Sequence, residues 1–342
     1  MQVRQAVIVE PYKVEVRTVD LPAPAPNQVL VETEVSAISP GTELAVYTGT
    51  HQWLRDANLP DWKFPFRSGY SAAGTVLAVG SQVTKCQAGD RVSYPGNHAS
   101  HELLTVGHER GRWWKLPEGL DAEKAALACI LRYGLGASIR AGLTLGRSAA
   151  VLGLGLIGQG ALRCLMAAGA SPVIGIDSVK MRRESALAAG ADLALDPTDA
   201  DYRTKMNAFL GTKGVEVVAD ATGVPDTVPI AMSLACDGGQ AVIVGSPRGK
   251  AKDVNFYDDL HRRYIEVTGA HGNMLFEPAH TRLAGAWDIN KAQTWLLHAL
   301  AKGRLNLNGL ITHRLAPAEL GAAYEGLLKK KEEYLSVVLR WK

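Results

Sequence analysis

No apolar run in this chain approaches the roughly 18 residues that a membrane span requires. The first residues, MQVRQAVIVEPYKVEV, alternate like a strand and hold no signal-peptide core, so a cytoplasmic, membrane-free protein is expected. Cysteine is sparse: Cys86, Cys129, Cys164 and Cys236 are scattered without paired spacing. That argues against a disulfide framework and against a closed all-cysteine zinc cage. Charge of one sign is also lacking. Lys and Arg exceed Asp and Glu by only three over 342 residues, which suggests no nucleic acid partner. What is present is ordinary globular composition, 47% apolar and 21% charged. At roughly 150 residues per domain, the length predicts about two domains.

The first hundred or so residues read as short strands broken by glycine and proline. QAVIVE, YKVEVRTV, QVLVETEVSAI, SAAGTVLAVG and DRVSY are rich in Val, Ile and Thr, and several alternate with period two. LPAPAP, residues 21–26, has too many prolines for a central strand. Near Asp121 the texture changes to a helix with an N-cap carboxylate. From there AAVLGL, PVIGID, VEVVADA and QAVIVG are near-continuous apolar runs, as expected of strands buried on both faces. Helical stretches separate them, which predicts a parallel sheet with right-handed crossovers. YIEVTGAH would close that sheet, and the segments after residue 286 look peripheral enough to return to the β-rich part.

One motif is specific. Gly153-x-Gly155-x-x-Gly158 lies at the end of a predicted strand and the start of a helix. Its first glycine permits a tight turn, its second lets backbone approach a pyrophosphate, and its third allows close strand–helix packing; the helix N-terminus adds partial positive charge. The next strand ends in Asp177, 24 residues beyond Gly153, where an acidic group would take ribose hydroxyls. A glycine-rich turn in any α/β sheet is the alternative, but both flanks fit dinucleotide binding. Asp177 would repel a 2′-phosphate, favouring NAD(H), although Lys180, Arg182 and Arg183 follow closely.

With GLGLIG and Asp177, the stretches PFRSGYSAAGTVLAVGSQVTKCQAGDRV (65–92), VEVVADATG (215–223) and GGQAVIVG (238–245) make the chain resemble the medium-chain dehydrogenase/reductase superfamily over essentially its whole length. The resemblance implies an α/β protein. A GroES-like β-barrel catalytic domain (1–121 and 287–342) would be joined to a Rossmann doubly wound parallel sheet (122–286), with substrate in the cleft between. It implies a homodimer acting on a small-molecule substrate. It also implies a cofactor site from Gly153, Gly155, Leu156, Ile157, Gly158, Asp177, Arg182, Thr222 and Gly245.

The departures from that family concern its zinc. Zinc-dependent members carry a Cys-Gly-Thr-Asp-like stretch, Gly-His-Glu, and a third Cys or Glu ligand. Here the first segment reads Ser39-Pro40-Gly41-Thr42-Glu43 and the second Gly69-Tyr70-Ser71. Only Cys129 falls where the third ligand would lie, and one thiolate cannot hold a catalytic zinc. The four-cysteine structural lobe is absent too. A zinc-free member with no metal site is therefore expected, resembling the subgroup that includes bacteriochlorophyllide hydroxyethyl dehydrogenases.

Without a metal, side chains must handle the proton. Tyr70 stands at a ligand's place. With an unperturbed phenol pKa of about 10 it would donate to a carbonyl better than it would deprotonate an alcohol; alternatively its ring fills the vacated cavity. Thr42 matches the family's relay hydroxyl or is a turn residue. Glu43 orients a neighbour or caps a helix, and His51, in a segment that often borders the cleft in this family, is a proton carrier or a surface or capping residue. His98, His101 and His271 are further proton carriers, or surface and capping residues. Trp53, Trp62, Phe64 and Phe66 would line an apolar wall or pack onto the barrel. The expected activity is NAD(H)-dependent interconversion of a secondary alcohol (sugar, polyol or larger hydroxy compound) and a ketone. The alternatives are reduction of an activated double bond by an enoyl or quinone reductase, and a non-catalytic cofactor-binding sensor or scaffold.

Overall fold

The computed structural model describes residues 1–142, 144–272, 274–277 and 287–342. The chain divides into two compact units, Met1–Ile130 with Leu297–Ala301 and Ile311–Lys342, and Leu131–Leu296 with Lys302–Leu310. Among the described residues no helix is long and apolar enough to cross a membrane.

The first unit begins with β1 (Gln2–Glu10), β2 (Lys13–Asp20), β3 (Gln28–Ala37), β4 (Phe66–Arg67), β5 (Ala72–Val79), β6 (Arg91–Tyr94), β7 (His101–Thr105) and β8 (Trp114–Lys115). Helix α1 (Pro40–Tyr47) follows β3, and α2 (Ala122–Ala126) follows β8. These strands pair antiparallel, and β3 is the hub, with β5 along one edge and β7 along the other. Its alternation turns Val29 and Val31 toward Val76, Val92 and Leu104, an apolar centre that fixes the register. Asp121 caps α2 by accepting from the Glu123 N–H.

After α3 (Ala128–Ala141) the second unit alternates strand and helix: β9 (Ala149–Leu152), α4 (Leu156–Ala167), β10 (Val173–Ile176), α5 (Lys180–Ala188), β11 (Leu193–Leu195), α6 (Tyr202–Leu210), β12 (Val215–Asp220), α7 (Thr227–Leu234), β13 (Ala235–Ile243) and β14 (Glu266–Gly269). The six strands are parallel in the order β11-β10-β9-β12-β13-β14. Successive residues serve opposite faces. Ala149, Val151, Val217 and Ala219 pack with Leu162 and Leu165 of α4. Ala150, Leu152, Ile174 and Val218 pack with Met206 of α6 and Met232 of α7. Both faces are thus covered, which is why these strands read as unbroken apolar runs. This strand order is that of a dinucleotide-binding doubly wound sheet, whose ligand crevice lies at the strand carboxyl ends.

Beyond α8 (Ile289–Ala301), β15 (His313–Leu315), α9 (Leu320–Lys329) and β16 (Val337–Arg340) complete the chain. β16 pairs antiparallel with β3 and parallel with β15. The join is clamped by Glu123, whose carboxylate accepts from Arg314 Nε and Arg340 Nε, each at 2.8 Å. Both arginines are partly solvated, so the clamp contributes modestly. Glu123→Gln is expected to lower stability by about 1 kcal/mol at low ionic strength and by less in high salt. Urea melts at two salt concentrations check this, and an effect indifferent to salt would refute the ionic origin.

Candidate functional site

Two constellations emerge, one in each unit. In the second unit, residues from four strand ends converge. Gly153, just past β9, has φ +85, and a side chain there would press Thr222, whose backbone nitrogen is 3.0 Å from the Cβ position. At Gly158 a Cβ would lie 1.8 Å from the Gly153 carbonyl oxygen, so α4 can pack against the turn only with glycine. Gly155 is the N-cap of α4. It has no side-chain cap, and nothing lies within 4 Å of where its Cβ would be. The first backbone N–H groups of α4 therefore face open space with the positive end of the helix dipole, which suits a pyrophosphate. Leu156 and Ile157 then turn into the apolar core beneath.

Asp177 follows β10 and is buried. Its Oδ2 accepts from the Leu154 N–H at 2.7 Å and its Oδ1 from the Val179 N–H at 2.8 Å, so the carboxylate braces the glycine turn. Arg182 Nη1 lies 3.6 Å from Oδ2. Arg183 is committed to Asp196 at 2.8 Å, and Lys180 to Glu184 at 3.7 Å, so two of the three nearby cations already face carboxylates elsewhere. At the end of β12, the buried Asp220 accepts from the Thr222 N–H at 2.9 Å and from the hydroxyls of Thr222 and Thr227 at 2.7 and 2.8 Å. Gly245, past β13, lets the chain run close to Gly223, whose nitrogen would sit 2.4 Å from a Cβ. The sequence reading omitted Asp220, although a carboxylate closing an apolar strand was a readable signal.

In the first unit the centre is Glu43, on the first turn of α1 and 2% exposed. Its Oε1 accepts from the Ser39 backbone N–H at 2.7 Å, a side chain reaching back to the helix N-cap. Its Oε2 meets His98 Nε2 at 2.8 Å and accepts the Tyr324 hydroxyl at 2.6 Å. His98 Nδ1 meets Ser36 Oγ at 2.8 Å, and that oxygen accepts the indole N–H of Trp341 at 2.9 Å. Indole only donates, so the serine proton is available to Nδ1, while Nε2 faces the carboxylate. Burial pushes the Tyr324 phenol well above 10, with Glu43 adding to the shift, so it remains a donor across the working pH range. His98 is thus an interior residue, not a surface or capping one, because its two ring nitrogens are both satisfied inside the fold.

Ser39 carries this network outward. Its Oγ is hydrogen-bonded to the half-buried Tyr70 hydroxyl. Tyr70 is set by Gly69, which has φ +93 and fits so closely that a Cβ would lie 2.7 Å from the His98 nitrogen. The Gly69 carbonyl accepts from Asn97 Nδ2 at 3.0 Å and Arg110 Nη2 at 3.2 Å. Thr42 is half-buried on the first turn of α1. His51 lies apart from the Glu43 network. It is buried, caps the short helical turn Gln52–Arg55 by accepting from the Trp53 N–H, and stacks on Trp62 with centroids 4.6 Å apart. Trp62, Phe64 and Phe66 pack onto the unit's own core, while Trp53 stays 36% exposed. His271 is exposed. Tyr70 and Glu43, both singled out from sequence, lie in this network, and Ser39 and Tyr324, which join it, were given no role there.

Comparison with known proteins agrees with this architecture. Residues 25–119 match the alcohol dehydrogenase GroES-like domain, and residues 157–287 match the zinc-binding dehydrogenase family. The sorbitol dehydrogenase of Bos taurus is 27% identical, over 94% of this chain and 91% of its own. The L-threonine 3-dehydrogenase of Thermococcus kodakarensis is 26% identical, over 89% and 88%. The 2R,3R-butanediol dehydrogenase of Bacillus subtilis superposes with TM-score 0.83 at 21% identity, over 99% of both chains.

At two of the positions that the resemblance assigns to zinc ligands, the chain places hydroxyl side chains. Ser39 Oγ is engaged with Tyr70, Ser71 Oγ donates to the Ala126 carbonyl, and no group of three or more His, Cys, Asp or Glu among the described residues could hold a metal ion. The dinucleotide does fit, since the open helix end and Asp177 are both in place. Gly155→Ala is expected to fold normally yet bind NADH about tenfold or more weakly, because a methyl occupies the pyrophosphate approach. Gly158→Ala should instead lose about 1–3 kcal/mol or more of stability. Fluorescence titration and thermal melts separate the two, and equal NADH affinity in Gly155→Ala would contradict the assignment. Tyr324→Phe, which strips one donor from a buried carboxylate, should cost about 1–3 kcal/mol in the same melts. A neutral result there would mean Glu43 does not depend on that bond.

Proposed function

We propose that this NAD(H)-dependent oxidoreductase, whose two domains match the alcohol dehydrogenase GroES-like and zinc-binding dehydrogenase families, interconverts a secondary alcohol and a ketone without a catalytic zinc. The observation that carries this reading is the Tyr70–Ser39 pair, two hydroxyls where metal-dependent relatives are expected to carry ligands. The sorbitol, threonine and butanediol dehydrogenases to which the chain is similar support a hydroxyl-bearing substrate.

A bound nicotinamide supplies or accepts the hydride. The chain's residues do the rest. The amide donors that open α4 at Gly155 bind the pyrophosphate, and Asp177 takes the adenosine ribose while disfavouring a 2′-phosphate. In ketone reduction the Tyr70 hydroxyl donates a hydrogen bond, then its proton, to the carbonyl oxygen as charge develops there. Ser39 Oγ hydrogen-bonds the phenol oxygen and stabilises it as the proton leaves. In alcohol oxidation the same pair takes the proton back. Glu43 is a positioning residue, holding the Ser39 main chain through its N–H, and His98 and Tyr324 hold Glu43 in turn. Thr42, on the same turn of α1, is assigned to substrate hydroxyl contact, and His51 to shaping the aromatic wall beside it. A homodimer is also inferred through the edge strand β14, where Val267 is exposed.

Tyr70→Phe is expected to lower kcat by about 10²–10⁴-fold while leaving the NADH dissociation constant unchanged. Turnover should survive exhaustive treatment with a zinc chelator, and NADH should bind more tightly than NADPH. Activity that disappears on chelation and returns with one equivalent of zinc would overturn the metal-free reading. Firm NADPH preference with reduction of an activated double bond would move the assignment to an enoyl or quinone reductase.

A further inference from the structure

In the second unit, away from the glycine turn, a cavity of 340 Å³ opens between the C-terminal part of α4, the end of α5 and the segment 303–306. It is lined by Arg163, Arg304, Asn306 and Met166, with the glycines 190 and 303 at its edge. Arg163 stands on a largely apolar helix and is itself only 2% exposed. Its guanidinium donates only to neutral acceptors, the Gln159 carbonyl and side-chain oxygens from Nη1 and the Asn306 carbonyl from Nε. Nη2 is buried with no hydrogen-bond partner. Among the described residues no carboxylate pairs with this group, and burial drags its pKa down to about 10. Arg304, exposed on the same cavity, has no carboxylate partner among the described residues either.

A buried guanidinium without a counter-charge is costly, and replacing it with an apolar side chain of similar length would remove that cost. A clamp for the 303–306 segment alone would need only a neutral donor to the Asn306 carbonyl. Two guanidiniums without carboxylate partners among the described residues line one small cavity, and the donor fork of a guanidinium suits tetrahedral oxyanions. We infer that this cavity is a second anion site, separate from the dinucleotide cradle, that takes inorganic phosphate or the phosphate group of a small metabolite between Arg163 and Arg304. The site goes beyond the redox reading and stands or falls independently of it, since no residue lining it belongs to the Tyr70 network or the glycine turn.

The test uses the protein saturated with NADH, so that the helix end at Gly155 is already filled. Inorganic phosphate is titrated against chloride at constant ionic strength while the thermal midpoint is followed. Wild type should gain about 3 °C at ten times the phosphate dissociation constant. Arg304→Ala, an exposed change that leaves the core intact, should raise that constant by about tenfold, and Arg163→Met should abolish the response. Phosphate-bearing metabolites run in the same format then distinguish free phosphate from a phosphomonoester ligand. If phosphate shifts the midpoint of wild type no more than chloride does, or shifts both variants as much as wild type, the site is refuted.

Discussion

A carboxylate sealed inside a protein persists only where donors surround it. Glu43 has three, drawn from distant parts of the chain: the Ser39 main chain, the His98 ring and the Tyr324 phenol. The start of α1, the loop after β6 and helix α9 are therefore tied to one point. Ser39 is held at its backbone by this arrangement, so its hydroxyl presents a fixed partner to Tyr70. The expected acid–base pair is thus positioned on packed elements and braced from behind, the condition for a side chain to act without reorganising during reaction.

The second unit follows a different constraint, steric rather than ionic. Its turn after β9 works because three glycines leave room: for a positive φ at Gly153, for a ligand at Gly155 and for the helix at Gly158. Asp177 joins the two demands. Its two oxygens already accept from Leu154 and Val179 main-chain donors, which stiffens the glycine turn while leaving carboxylate lone pairs for ribose hydroxyls. Asp220 does similar work one strand over, ordering Thr222 beside Gly153.

Local signals explain what the sequence made legible. Apolar runs of β9, β10, β12 and β13 mark a sheet covered on both faces, and the spacing of Gly153, Gly155 and Gly158 encodes a turn geometry directly. Tyr70 and Glu43 were visible because they sit at or beside positions where relatives carry metal ligands. The remainder of the site was hidden by distance along the chain. Tyr324 lies 281 residues from Glu43, and His98 lies 55 residues from it, so no window or periodicity joins them. In sequence His98 reads equally as a proton carrier or as a surface or capping residue, and only the fold turns it inward against Gly69. Arg163 likewise reads as one polar position on an amphipathic helix until the packing around it shows that solvent is excluded.

The central claim is that hydroxyl groups, not a metal, meet the reacting oxygen. A crystal structure of the complex with NADH and an unreactive ketone analogue, collected with anomalous data at the zinc edge, tests it most directly. The account predicts the Tyr70 hydroxyl within about 2.6–3.2 Å of the ketone oxygen and no anomalous peak nearby. A coordinated cation beside Cys129, or a ketone oxygen bound out of reach of Tyr70, would contradict it.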